Sequence, residues 1–203
     1  ISILSITTNS CFPSFTKNFH YPKTHVGYSQ CMLNRQFVEQ NYKKFKLIFI
    51  SGRWDEFFKD GHEYSNDTIN MINKITSDGI KVVYLPSPTI IKGNITSDYI
   101  SSIISGDLFT KEMINHRKDL IKNKYEQKIE MKLKLLSKNN DNFIYISKAE
   151  LYKNDFFIKN GKLIPYSSEG GHISILGAEA LANEILDMKS KCKIMQLLEQ
   201  STG

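Results

Sequence analysis

The residues best suited to acid–base chemistry lie near the end of the chain, in Tyr166-Ser167-Ser168-Glu169-Gly170-Gly171-His172-Ile173-Ser174-Ile175-Leu176-Gly177-Ala178. A carboxylate three residues ahead of an imidazole places both groups on one tight loop. A glutamate that accepts a hydrogen bond from one ring nitrogen fixes the tautomer and leaves the other nitrogen to act as a base. On that reading Glu169 orients His172, and Ser174 caps the helix that follows. The competing reading is that Gly170-Gly171 is a flexible turn and His172 a surface histidine. A second candidate is Ile48-Phe49-Ile50-Ser51-Gly52-Arg53-Trp54-Asp55, a strand-like run that ends at the one tryptophan of the chain. An arginine at a strand's carboxyl end can orient an anionic or carbonyl oxygen, and a tryptophan beside it can floor a sugar- or acyl-binding cleft. The same residues also allow Arg53 to pair with Asp55 or Glu56 while Trp54 caps the core.

Both runs need elements that hold them. Residues 1–7 and 45–51 read as short buried strands rich in β-branched and aromatic side chains. Residues 65–77 carry Ile69, Met71, Ile72 and Ile75 at helical spacing, and Gly79 follows as a stop. A third strand is expected over 80–85, closed by Pro86 and Pro88. A long helix is expected near 110–137, a fourth strand over 142–146 and a last helix over 174–198. This alternation predicts an α/β fold, a three-layer α/β/α sandwich with a mostly parallel sheet. In such folds the loops at the carboxyl ends of the strands hold the site, which directs attention to 8–13, 51–57 and the loop before the last helix. With no repeat or linker dividing it, the chain reads as a single domain over 1–203, with 13–44 an irregular excursion.

Composition narrows the function classes. Of 203 residues, 40% are hydrophobic, 11% aromatic and 24% charged, which fits a folded domain and excludes a disordered one. Apolar runs fall far short of the roughly 18 to 20 residues of a membrane-spanning helix. The net charge of +6 raises the idea of nucleic acid, yet residues 111–138 alone hold nine basic and four acidic side chains. Ile121, Tyr125, Ile129, Leu133 and Leu136 recur there at three- and four-residue steps, so the basic residues occupy the outside of an amphipathic helix. Such a face is either simply solvated or meets anionic lipid headgroups or an acidic polysaccharide. No nucleic-acid motif or zinc spacing is present, so neither nucleic acid nor a metal or other cofactor is expected. Of the three cysteines, Cys11 and Cys31 flank loop-like sequence. They either form a disulfide, which needs an oxidising compartment, or remain two buried thiols. Cys192, among lysines near the end of the chain, reads as incidental.

The order of these features resembles a family. It runs from Ser10-Cys11-Phe12-Pro13 to a second cysteine, then strand-Arg53-Trp54, strand-Pro86-x-Pro88, and Glu169-x-x-His172-Ile173-Ser174-x-x-Gly177-Ala178. This is similar to the SGNH domain fused to the C-terminus of bacterial membrane O-acyltransferases, within the SGNH/GDSL hydrolase superfamily. The resemblance implies a flavodoxin-like α/β/α sandwich and a Ser-His-acid triad that forms an acyl-enzyme. His172 would be its base and Glu169 its orienting acid. Arg53 and Trp54 stand where many of these enzymes carry an oxyanion-hole asparagine, so they become candidates for substrate or oxyanion contact.

Two departures accompany the resemblance. The acid is Glu169 where the family has aspartate, and the Gly-Asp-Ser-His block that supplies the nucleophile is missing. Ser51 matches no nucleophile motif. The chain starts at Ile1 in what resembles the family's second strand, so a fragment without its first strand, inactive alone, is expected. The function implied is O-acetylation of O-antigen or lipopolysaccharide on the periplasmic side of the inner membrane. The partners implied are a membrane acyltransferase domain of the same polypeptide, an acyl donor and a glycan acceptor. A secreted carbohydrate esterase and a degenerate, glycan-binding domain are the alternatives.

Overall fold

The computed structural model describes residues 4–6, 11–59, 62–152, 154–167 and 172–187. In chain order the elements are α1 (Tyr28–Asn41), β1 (Leu47–Ser51), a 3-10 turn at Trp54–Phe57, the antiparallel pair β2 (Phe58–Lys59) and β3 (His62–Glu63), and α2 (Ser65–Ser77). Then come β4 (Lys81–Leu85), α3 (Thr96–Ser105), α4 (Lys111–His116), α5 (Leu120–Lys138), β5 (Phe143–Tyr145), α6 (Lys148–Leu151), the hairpin β6 (Phe156–Lys159) and β7 (Lys162–Pro165), and α7 (Ile175–Asp187).

Strands β1, β4 and β5 form a parallel sheet in that order, with Leu47 opposite Lys81 and Val82 opposite Phe143. A parallel sheet must be covered on both faces, and the alternation along β4 shows how. Val82 and Tyr84 pack with Met71, Ile72 and Ile75 of α2 and with Ile129 and Leu133 of α5. Val83 points the other way, into Ile144, Leu151, Tyr152 and Tyr166, with Ala180 and Leu181 of α7 alongside. All three of these β4 side chains are fully buried. The result is an α/β fold with helices on both faces of a parallel sheet.

Helix α2 keeps the bounds its apolar spacing predicts, and Gly79 (φ +83°) donates its N–H to the Thr76 carbonyl at 3.0 Å to end it. The long helix expected over 110–137 is instead divided into α4 and α5. Between them the backbone turns to pair with residues 90–92, the Asp119 N–H bonding the Ile90 carbonyl at 2.9 Å. The Asp119 side chain then caps α5 by accepting from the Lys122 N–H. Of the strand expected over 1–7, only residues 4–6 are described, and they are exposed and without regular structure. The last helix is described as far as Asp187, so its expected continuation to 198 lies outside the described residues.

The second half of the stretch 13–44, expected to be irregular, is the helix α1. Its apolar residues form no continuous stripe, so periodicity does not reveal it. A disulfide and one arginine hold it in place. Cys11 and Cys31 are bonded, with Cα atoms 5.5 Å apart. Arg35 is buried and donates to the carbonyl oxygens of Phe12 (3.0 Å), Thr16 (2.8 Å) and Asn18, with its guanidinium 4.3 Å from the centre of the Phe12 ring. Residues 11–20 therefore wrap a cation, while Phe12 and Phe15 alone join the apolar core from this stretch. Such a segment depends on its cross-link. Replacing both Cys11 and Cys31 by serine is expected to lower stability by about 3 kcal/mol. Urea unfolding should show this as a lower midpoint, and an unchanged midpoint would mean that Arg35 suffices.

Candidate active site

Two adjacent carbonyls just past the carboxyl end of β4 anchor the segments that carry Trp54 and Tyr152. After β1 the chain turns at Gly52, and Trp54 enters the core, where it is fully buried. Its indole N–H donates to the Leu85 carbonyl at 3.1 Å, at the end of β4, and its ring lies 4.8 Å from that of Tyr84. From the other side, the Tyr152 hydroxyl donates to the next carbonyl, that of Pro86, at 3.3 Å. Tyr152 packs edge-on against Tyr166 at 5.0 Å, and the Tyr166 carbonyl accepts from the Ser174 N–H two residues past His172. Arg53 and His172 thus sit on segments anchored to the same end of the central strand.

Burial corrects one expectation. Trp54 leaves no face for a cleft floor, because an indole whose N–H partner lies inside the protein carries its ring in with it. Its role is to tie β1 to β4. Arg53 keeps about a quarter of its side chain accessible, 27%, and donates bidentately to Asp55, from Nε at 2.9 Å and Nη2 at 2.8 Å. Asp55 is buried, so this fork holds the guanidinium in one orientation at the strand's end.

The approach to α7 is built with similar economy. His172 is exposed. Two residues later Ser174 donates its N–H to the Tyr166 carbonyl at 2.9 Å and accepts from the Gly177 N–H on its hydroxyl at 3.0 Å, which caps the helix. A Cβ at position 177 would stand 2.5 Å from the Tyr166 carbonyl oxygen. Only glycine lets the loop and the first turn of α7 approach so closely, which gives a physical reason for Gly177 in the motif. Glu169, together with Ser168, Gly170 and Gly171, lies outside the described residues.

Beneath the same strand ends is a charge cluster built on α5 and the segments that follow β4 and β5. Glu126 of α5 is 1% exposed; Ser87 donates to its Oε1 and Lys148 to its Oε2. The signal was its spacing, since Glu126 precedes Ile129 by three residues and Leu133 by seven and so shares their inward face. One turn on, Glu130 Oε1 is buried without a hydrogen-bond partner among the described residues. Burial first, and then the Glu126 charge, push its carboxyl from the ordinary 4.5 up to about 7, against the pull of Lys148. A folded-state value above the unfolded one means that folding takes up a proton in between. The associated stability is fully present below about pH 4.5 and is lost as pH rises through about 7. Glu130→Gln is therefore expected to stabilise the protein at pH 8 by about 1–2 kcal/mol, allowing for solvent screening at this partly accessible position, and to change little at pH 4. Urea midpoints at the two pH values check this, and parallel pH profiles in parent and variant would refute it.

Among the described residues no group of three or more His, Cys, Asp or Glu side chains could hold a metal ion. A recess of about 590 Å³ opens between residues 4–6 and the Leu33–Phe37 side of α1, but its lining has no titratable side chain and offers nothing to acid–base chemistry. Arg53 stands instead just past the carboxyl end of β1, at the edge of the sheet where α/β enzymes place their sites.

Helices on both faces of a parallel sheet place the chain in the class of layered α/β domains. Within it, the chain belongs to the SGNH domain family: a family model described as SGNH domain (fused to AT3 domains) matches residues 1–187. It is thus an SGNH domain of the kind joined to AT3 acyltransferase domains, a family of acyl-transfer and ester-cleaving chemistry. No curated protein and no solved structure matches.

Proposed function

We propose that the chain is the C-terminal, periplasmic SGNH domain of a membrane acyltransferase that O-acetylates surface polysaccharide, O-antigen or lipopolysaccharide, with a serine nucleophile supplied from upstream of Ile1. The observation that carries this reading is the family match, whose description is itself a fusion to AT3 domains. The exposed His172 at the entry to α7 supports it, as does the Cys11–Cys31 bond, which suits an oxidising compartment.

In this mechanism His172 takes the proton of the serine hydroxyl as its oxygen attacks the acyl carbonyl. The tetrahedral intermediate collapses, His172 returns the proton to the departing donor, and an ester on the serine remains. A sugar hydroxyl then attacks that ester, His172 accepts its proton, and the acyl group leaves on the sugar while the serine recovers its hydrogen. Glu169 orients the imidazole, and Arg53 at the end of β1 faces the charge that develops on the carbonyl oxygen. Water in place of the sugar would make the same steps an ester hydrolysis. The test is acetyl release from p-nitrophenyl acetate by the polypeptide that includes the upstream sequence, with a glycan acceptor added to see whether acetyl passes to sugar. Acetyl found only as free acetate in the presence of acceptor would overturn transfer in favour of an esterase.

A further inference from the structure

We infer that the outer face of α5 is a membrane-surface docking site, which lays the domain on an anionic lipid bilayer. This inference does not depend on the catalytic reading above. Helix α5 has 19 residues and is about 28 Å long. Its inward side carries Ile129 and Leu133, both buried in the core. A helix of a water-soluble domain ordinarily presents polar side chains opposite such a stripe. Here the opposite side holds Leu120 (77% exposed), Ile121 (66%), Met131 (66%) and Leu135 (60%). Between them stand Lys124, Lys134 and Lys138, all exposed. The helix has two acidic residues, and both avoid this face: Glu126 is buried against Ser87 and Lys148, and Glu130 has its Oε1 buried.

Charge and apolarity on one face select the occupant. An acidic polysaccharide would neutralise the lysines but leave four large apolar side chains in water. A purely apolar partner would strand the lysines. The headgroup boundary of an anionic bilayer satisfies both, because the apolar side chains enter the acyl boundary while the lysine stems lie along them and lift the ammonium groups to the phosphates. A helix lying flat in this way keeps its inward stripe on the domain core, so docking requires no unfolding of α5. No helix among the described residues is long and apolar enough to cross a membrane, so the contact is with the surface.

The experiment is flotation of the chain with vesicles of mixed phosphatidylglycerol and phosphatidylcholine, with pure phosphatidylcholine vesicles alongside. Binding to the anionic vesicles is expected, with little to the neutral ones and a steep fall as salt is raised. The triple variant Lys124→Gln/Lys134→Gln/Lys138→Gln is expected to bind on the order of a hundredfold more weakly, about fivefold for each lysine lost. The variant Leu120→Ser/Met131→Ser/Leu135→Ser should lose binding to a similar degree. Circular dichroism should show both variants folded, since every altered side chain faces outward. Absence of binding to the anionic vesicles overturns the proposal. So does apolar-to-serine replacement that leaves binding unchanged, particularly if dextran sulfate then competes, because the face would be reading charge alone as a polysaccharide ligand does.

Discussion

His172→Ala, made in the polypeptide that carries the upstream sequence, is expected to lower acyl turnover on p-nitrophenyl acetate by a factor on the order of 10⁴ or more, without lowering the melting temperature. The two halves of this expectation have separate physical grounds. A serine hydroxyl is a poor nucleophile until a positioned base removes its proton, and in the proposed mechanism that base is the exposed imidazole of His172 at the entry to α7. Stability should not follow, because the local fold is held by its neighbours. Ser174 bonds the Tyr166 carbonyl and caps α7, Ile173 packs into the core under β5, and Gly177 permits the close approach. Glu169→Ala should reduce turnover by a smaller factor, since the orienting acid of a triad contributes less than the base it orients. Turnover that survives His172→Ala intact would sink the assignment, and a joint loss of turnover and melting temperature would show that the residue is structural. A fall with His172→Ala but none with Glu169→Ala would leave the imidazole as base and remove the glutamate from the site.

How far the chain could be read in advance depends on whether the information is local. Helix α2 and strand β4 were legible because Met71, Ile72 and Ile75, or Val82, Val83 and Tyr84, declare their period within a few residues. Hairpin β6–β7 carries an equally local signal: Asn160 and Gly161 both have positive φ, the arrangement an Asn-Gly turn between strands requires. Helix α1 gave no such signal, since its position comes from a disulfide and from Arg35 reaching back to residues 12–18. The site divides in the same way. The run from Ser174 to Gly177 is legible as a string because the serine caps the helix it precedes and the glycine permits the close approach, both within four residues. The choice between Trp54 as cleft floor and Trp54 as core is not legible, because its decisive partner, the Leu85 carbonyl, is 31 residues away. The same holds for the break between α4 and α5, which follows from backbone pairing with residues 90–92 and leaves no mark on the charge pattern of 111–138.

Lys148→Met is expected to destabilise the domain by about 3–5 kcal/mol, a large share of the roughly 5–15 kcal/mol by which such domains are stable. The reason lies in what it would leave behind. Glu126 is 1% exposed, and its two oxygens are held by the Ser87 hydroxyl and the Lys148 ammonium. Without the ammonium, a buried carboxylate faces Glu130 with only a hydroxyl to stabilise it. It must either stay charged in a poorly solvating site or take up a proton. Removing both charges is a different matter, because most of the attraction within a buried pair is spent against the desolvation of its members. Glu126→Gln combined with Lys148→Met should therefore cost only about 1–2 kcal/mol, less than Lys148→Met alone. Urea unfolding of the parent, both single variants and the double variant closes the cycle, and additive effects would show that the two side chains do not act as a pair. The location gives the cycle a second readout. Ser87 follows the end of β4, Lys148 opens α6 after the end of β5, and Tyr152 at the close of α6 leads through Tyr166 to His172. An uncompensated charge beneath α6 should loosen that chain of contacts first, so amide exchange at 148–152 and 172–174 is expected to accelerate in Lys148→Met and to recover in the double variant.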